Sequence, residues 1–338
     1  MSPELSIYFQ LFIVIAADYV WGDPRLLPHP VRFIGRLCVL FERVTREGLS
    51  FLSMRARGAV AFFFVLLTTL AALALFFSLL FLMGETAALF GAMVICYFSI
   101  AAGDLVAHSN RVYNHLTADD IVGSRQAVSM MVGRDTESLD VPEVTRACVE
   151  SVSENMVDGI TAPLFWAFIG SSVGMILLIN PLIGAAFGSM TYKAVNTMDS
   201  MYGYRNEKYM DFGWCAARID DLVNFIPARL SGLCLIGAAY LIGFDGRGAA
   251  RVYMRDRRKS TSPNSGHSEA ATAGALNIEL GGTSSYFGQT SIKDYIGQGL
   301  NRVEPGDIKR VNKLILSGSL LFFAVCSFIH FLVVHILR

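Results

Sequence analysis

Apolar and polar positions along this chain separate into long blocks, unlike the short alternations of a soluble α/β or β protein. No charged residue occurs between 59 and 83, and none between 164 and 190. Each block exceeds the roughly 20 residues with which a helix crosses the hydrocarbon core. Blocks 87–103 and 314–337 are similar, the latter interrupted only by His330 and His335, and 222–244 carries one charge, Arg229. The first block, 5–21, is apolar apart from Gln10 and Asp18 and lacks a basic leader and a small-residue cleavage site. It therefore reads as a retained span and not a signal peptide. The expected fold class is all-α: a polytopic integral membrane protein, one domain over 1–338, with five to six transmembrane helices and large polar loops at 22–58, 104–163, 191–221 and 245–313. Asn180-Pro181 falls near the middle of 164–190, where proline weakens a continuous helix. That leaves two readings, six full spans or a re-entrant hairpin covered by protein, which would bring 191–221 to the side of the other loops.

Composition supports the membrane class. Hydrophobic residues make up 53% and charged residues 17%, and the mean hydropathy is +0.47, on the membrane side of the soluble balance. The 28 Lys and Arg match the 28 Asp and Glu, so no nucleic-acid partner is expected. Of those 28 basic residues, 22 lie in 22–58, 104–163 and 245–313, and the positive-inside rule places these loops in the cytoplasm of a cell (inner) membrane protein. The run Arg255-Asp-Arg-Arg-Lys259 reads as a topology anchor at the lipid surface. Six cysteines without a C-x-x-C pair or a Cys/His cluster read as core residues.

The polar loops hold the candidate chemistry. Glu150, Glu154 and Asp158 are spaced i, i+4, i+8 and would share one helix face with no intervening Lys or Arg. Such like charges suit a Mg²⁺ ion, which takes one or two carboxylates plus substrate phosphates; the alternative is a solvated acidic face. Asp104, His108 and Arg111 share a helix face as an acid/base and phosphate cluster, or as an ordinary helix exit. Asp23, His29 and Arg32 sit among Pro24, Pro28 and Pro30, either a rigid platform or a span terminator. Lys193, Asn196 and Asp199 follow at i, i+3, i+6, then Arg218, Asp220, Asp221 and Asn224. Arg229, an intramembrane cation just after Pro227, is a functional candidate by its cost. Ser262-Pro-Asn264-Ser265-Gly-His267-Ser-Glu269 precedes the helix-favouring 270–276 and offers backbone amides for an anion at a helix start. Gly281-Gly282 and Tyr286-Phe287-Gly288 read as a second flexible loop. The P-loop, zincin, nucleophile-elbow and dinucleotide fingerprints are all missing from the sequence. The near-absence of ionisable groups inside the spans argues against transport.

Taken in order, Gly22-Asp-Pro-Arg25, Pro28-His-Pro-Val-Arg32, Val132-Gly-Arg-Asp-Thr136, Glu150-Ser-Val-Ser-Glu-Asn155, Val157-Asp-Gly-Ile-Thr-Ala-Pro-Leu-Phe165, Asn196-Thr-Met-Asp-Ser-Met201, Ala217-Arg-Ile-Asp-Asp221, Ile226-Pro-Ala-Arg229, Ser262-Pro-Asn-Ser-Gly266 and Leu280-Gly-Gly282 resemble the adenosylcobinamide-phosphate synthases, the membrane family of cobalamin biosynthesis. His267 departs from that pattern, which commonly has tryptophan there. The resemblance implies an ATP-dependent carbon–nitrogen ligase using Mg²⁺, with a corrinoid as substrate: a propionate carboxylate of adenosylcobyric acid is joined to the amine of aminopropanol phosphate. On that reading Glu150, Glu154 and Asp158 hold the metal. Asp199, Asp221, Asp104 and His108 are candidates for proton transfer. Arg32, Arg111, Arg134, Lys193, Asn196, Arg229, Asn264 and Ser265 are candidates for binding phosphate or substrate. Partners are then the two substrates, the lipid bilayer and other cobalamin-biosynthesis enzymes. The alternatives are a non-catalytic membrane regulator and a corrinoid carrier or scaffold.

Overall fold

The apolar blocks form helices. The computed structural model describes residues 3–24, 29–203, 206–286 and 288–336, so Arg25 and Pro28 of the proline-rich motif, Phe287 and the end of the last expected span lie outside the described residues. In chain order the helices are α1 (Pro3–Trp21), α2 (Pro30–Gly48), α3 (Met54–Met83), α4 (Glu85–Tyr97), α5 (Ala102–Thr117), α6 (Ile121–Ser129), α7 (Val141–Met156), α8 (Ala162–Ile176), α9 (Pro181–Tyr202), α10 (Trp214–Val223), α11 (Phe225–Leu241), α12 (Gly246–Asp256) and α13 (Ser265–Leu276). Strands β1 (Glu279–Tyr286) and β2 (Gln289–Gly297) precede α14 (Gly306–Ile336). The all-α polytopic expectation is borne out, with one antiparallel hairpin added.

Among the described residues, four helical stretches are long and apolar enough to cross a membrane: Met54–Met83, Glu85–Thr117, Val141–Ile176 and Gly306–Ile336. The pair α10 and α11, bent by 46°, makes a fifth if it is one span. Ser6–Trp21 is apolar but shorter. Much of α3 is apolar on all sides and exposes Phe63, Phe64, Leu67, Leu75 and Leu79, as a lipid-facing helix does.

The chain divides into two compact units. The first comprises Met1–Ile100, Ala162–Val223 and Ser327–Arg338. Its core includes Ile7, Leu11, Ile34, Phe62, Val65, Leu182, Tyr192, Tyr202 and Phe212, all within 2% of full burial. The second comprises Ala101–Thr161 and Asn224–Cys326, with Val112, Val144, Val149, Met156, Leu235, Leu276, Ile308 and Leu314 at its centre. All six cysteines are buried free thiols, as expected.

Three points add to the expectations. The stretch 164–190, left open between one span and a hairpin, is two helices, α8 and α9. Asn180 caps α9 by accepting from the Leu182 amide at 3.0 Å, and Pro181 occupies the first turn, where its missing N–H costs nothing. The two helices then press backbone to backbone: a Cβ on Gly170 would sit 2.2 Å from the Gly184 carbonyl oxygen, and one on Gly188 would sit 2.1 Å from that of Trp166. Small residues four apart are the usual means of such close approach between apolar helices. Secondly, the polar "loops" are largely helical, because 22–58 and 104–163 carry their apolar residues at helical spacing in α2, α5, α6 and α7. Thirdly, Gly281 and Gly282 are not in a flexible loop but in β1, at a bulge between Leu280 and Gly282 in the pairing with β2.

Gly188→Val should collapse the α8/α9 packing. Thermal unfolding of the detergent-solubilised protein is expected to shift down by at least several degrees, against little change for Gly35→Ala, whose added Cβ meets nothing within 4 Å.

Candidate functional site

The second unit is organised around α13. This helix is Ala-rich and every one of its residues is buried, yet it carries Ser265, His267, Ser268, Glu269 and Thr272. Polar groups in such a place need partners or a function. His267 and Glu269, two positions apart, point about 200° apart around the helix, and the surroundings of the two faces differ.

On the Glu269 side lies a cluster of charges. Glu150 of α7 is buried and forms an ion pair with Arg134, itself buried. Its other oxygen accepts from the Gly281 amide at 2.7 Å. That amide is available because the β1 bulge sets Gly281 at φ +85°, and a Cβ there would sit 2.3 Å from the Asp294 carbonyl oxygen. Only glycine takes this conformation without strain. Asp135 clasps the hairpin: its Oδ2 accepts from Ser285 Oγ at 2.6 Å and from the Gly288 amide at 2.9 Å. Burial pushes the Glu269 carboxyl up to about 8, with Glu154 and Glu150 adding to the shift against the opposing charges of Lys293 and Arg134. Burial works against the Lys293 ammonium, but Tyr286, Glu269 and Glu150 outweigh it and raise it above the ordinary lysine range.

On the His267 side is an open cavity of about 580 Å³ lined by Arg229, Tyr253, Met254, Arg257, Arg258, Ser260, Ser262, Pro263 and His267. None of these is a carboxylate. His267 Nδ1 lies 2.9 Å from the Tyr253 hydroxyl. Burial, then the charges of Arg229, Arg257 and Arg258, hold its imidazole down to about 4, so it is neutral at physiological pH. Arg229 is oriented by donating Nη1 to the Phe225 carbonyl at 2.6 Å and to Asn264 Oδ1 at 3.2 Å. The basic run is thus not simply a lipid anchor. Arg255 and Lys259 pair with Asp256, which is fully buried, while Arg257 and Arg258 border the cavity. Burial opposes charge on Asp256, but hydrogen bonds from Arg255, the Gly297 amide and Lys259 prevail and hold it near 2.

The expected residues are redistributed accordingly. Arg134 pairs with Glu150. Of the three expected metal carboxylates, Glu150 is in that pair with Arg134, and Asp158 lies in a widened π turn, Val157–Thr161, that breaks the α-helical register. Among the described residues no three His, Cys, Asp or Glu side chains gather as a metal-ligand set. Glu154 is exposed. Asp104, His108 and Arg111 lie on α5 as expected, with Arg111 exposed. Arg229 and Asn264 do meet, and Ser265 opens α13 beside them, its Oγ 2.7 Å from that of Ser260. Arg32, Lys193, Asn196, Asp199 and Asp221 belong to the first unit, Asn196 being buried and Arg32 exposed. In that unit His29 Nε2 stands 3.1 Å from Asp23 Oδ2, and its Nδ1 accepts from the Val31 amide at 3.2 Å to cap the start of α2. Residues that the spacing argument did not assign are Glu269, Lys293, Tyr253, Arg257 and Arg258. The signal for Glu269 was a carboxylate inside an alanine-rich helix.

The raised Glu269 carboxyl has a consequence for stability. Its contribution is fully present below the ordinary carboxylate value of 4.5 and is lost as pH rises toward 8. Glu269→Gln should flatten that part of the pH–stability curve and melt higher than the parent at pH 8, as read by thermal unfolding in detergent between pH 5 and 9.

Residues 11–315 match the family model described as CobD/Cbib protein. The cobalamin biosynthesis protein CobD of Desulfotalea psychrophila is 40% identical over 308 residues, 91% of this chain and 93% of the relative. That of Citrobacter koseri is 43% identical over 312 residues, 91% and 92% of the two chains. That of Listeria monocytogenes is 36% identical over 331 residues, 97% and 99%. No solved structure matches. A family match over nearly the whole chain agrees with the motifs that first suggested it, and the protein belongs to the CobD/Cbib family of cobalamin biosynthesis proteins.

Proposed function

We propose that this chain is the ligase that joins a propionate carboxylate of adenosylcobyric acid to the amine of aminopropanol phosphate, with ATP and Mg²⁺, on the cytoplasmic side of the cell membrane. The observation that carries the reading is the pair of environments on the two faces of α13: an arginine-lined cavity without carboxylates, and a carboxylate cluster with its own cations. A carboxylate becomes an acyl donor when phosphoryl transfer from ATP gives its oxygen a leaving group; the amine nitrogen then attacks the carbon, and phosphate departs. Such chemistry rests on positioning and on neutralising phosphate charge.

The metal fits Glu154 and Glu269. Two carboxylates with substrate phosphates are what Mg²⁺ usually takes, and Glu154 and Glu269 are close enough for the charge of one to raise the carboxyl of the other, which burial already pushes up. Bound there, the ion would supply charge neutralisation between carboxylate and phosphate oxygens. Glu150 and Arg134 then serve by holding the β1/β2 hairpin, and with it Lys293, against α13. The ammonium of the amine donor must lose a proton before attack; Asp104 and His108, one turn apart on α5, are the groups proposed for it within this unit. The apolar helices hold the protein in the bilayer, beside the other enzymes of the pathway.

The test is ADP release by the purified protein with adenosylcobyric acid, aminopropanol phosphate, ATP and Mg²⁺, each omitted in turn, the corrinoid product being weighed by mass spectrometry. Matched ADP and amide formation is expected, with Glu154→Gln at least a hundredfold slower. Corrinoid binding without turnover by folded protein would make the chain a carrier or scaffold instead.

A further inference from the structure

The geometry points to the arginine-lined cavity as the seat of the phosphomonoester of the amine donor, bound as a dianion directly by side chains and without a metal ion; this deepens the ligase reading and rests on it. Three guanidinium groups, Arg229, Arg257 and Arg258, border one space, from α11 and the turn that follows α12. Bringing like charges together in this way is unfavourable without an anion among them. The carboxylate of the run, Asp256, is already occupied by Arg255 and Lys259.

The chemistry of the lining selects among phosphates. A magnesium–nucleotide site needs oxygen ligands for the metal, and the cavity has no carboxylate to offer. Guanidinium forks instead suit phosphate oxygens directly. Ser260 and Ser262 add hydroxyl groups to the lining. The volume of about 580 Å³ lies within the range of small-ligand sites. Asn264 fixes Arg229 by its 3.2 Å hydrogen bond, so one of the three cations is held before any ligand arrives.

A lipid headgroup presents the same phosphate chemistry, but as a phosphodiester with one charge. A monoester gains its second charge near pH 6, so its binding should strengthen as pH rises through that value. Neither His267 nor Tyr253 changes charge there: burial raises the Tyr253 hydroxyl above its usual value, and His267 is held near 4.

Calorimetry on the full-length protein in uncharged detergent, with EDTA present, provides the test, with aminopropanol phosphate as probe. We expect saturable binding that weakens at least tenfold in Arg258→Gln and about a hundredfold when Arg257→Gln is added, with dephosphorylated aminopropanol showing none. Arg258 is exposed, so its replacement leaves the fold standing, and unchanged melting temperature checks this. Equal affinity in parent and Arg258→Gln would overturn the inference. So would tighter binding of metal-free ATP that displaces the probe, which makes the cavity a nucleotide site, or its loss in phosphatidylglycerol nanodiscs at every pH, which makes it a headgroup site. The two readings separate: arginine-dependent binding without ATP turnover removes the ligase and leaves the site, whereas ligation with an unaltered KM for aminopropanol phosphate in Arg258→Gln removes the site and leaves the ligase.

Discussion

The buried ion pair between Arg134 and Glu150 governs the second unit. Two charges taken out of water are stabilising only when their geometry is good and their remaining hydrogen-bonding capacity is met. Here the second oxygen of Glu150 takes the Gly281 amide, so the requirement of one carboxylate fixes the bulge of a strand far away in sequence. The neighbouring residue, Asp135, closes the same hairpin from its other end through Ser285 and Gly288. A short segment, 132–136, thereby holds β1 and β2 in place and delivers Lys293 to the carboxylates.

What α13 does follows from that support. An exposed helix bearing Ser, His and Glu would hydrate them and nothing would follow. Buried, these side chains must find their partners in the protein, and they find unlike ones: Tyr253 and arginines beside His267, carboxylates and Lys293 around Glu269. The same low dielectric that keeps His267 neutral keeps Glu269 protonated, so burial moves both groups away from charge. A site assembled this way is sensitive to what enters it, because any incoming ion changes the balance.

How far the sequence discloses this differs by feature. The apolar blocks of α3 and α14 are plain, since lipid exposure demands unbroken hydrophobicity. The α8/α9 break is visible at Asn180-Pro181, but the glycines that let the two helices touch carry no periodic signal of their own. Helical spacing correctly put Glu150 and Glu154 in one element, and it failed at Asp158, where the π turn intervenes. The spacing also gives no partner for Glu150: a carboxylate's partner can come from any distance in sequence, and Arg134 lies outside the acidic stretch. Similarly, the arginines after α12 looked like an ordinary membrane flank because their meeting with Arg229 depends on tertiary packing. The family motifs fall in both units and do not state each residue's task.

Every native thiol of this protein is buried. Water-soluble maleimides therefore find almost nothing to react with on the folded chain. A single cysteine placed at Leu178, the most exposed residue of the α8/α9 turn at 95%, or at another helix end, would report its own accessibility with the six natural cysteines still in position. The molecule thus supplies its own blank for mapping, in intact cells, which side of the membrane each helix end reaches.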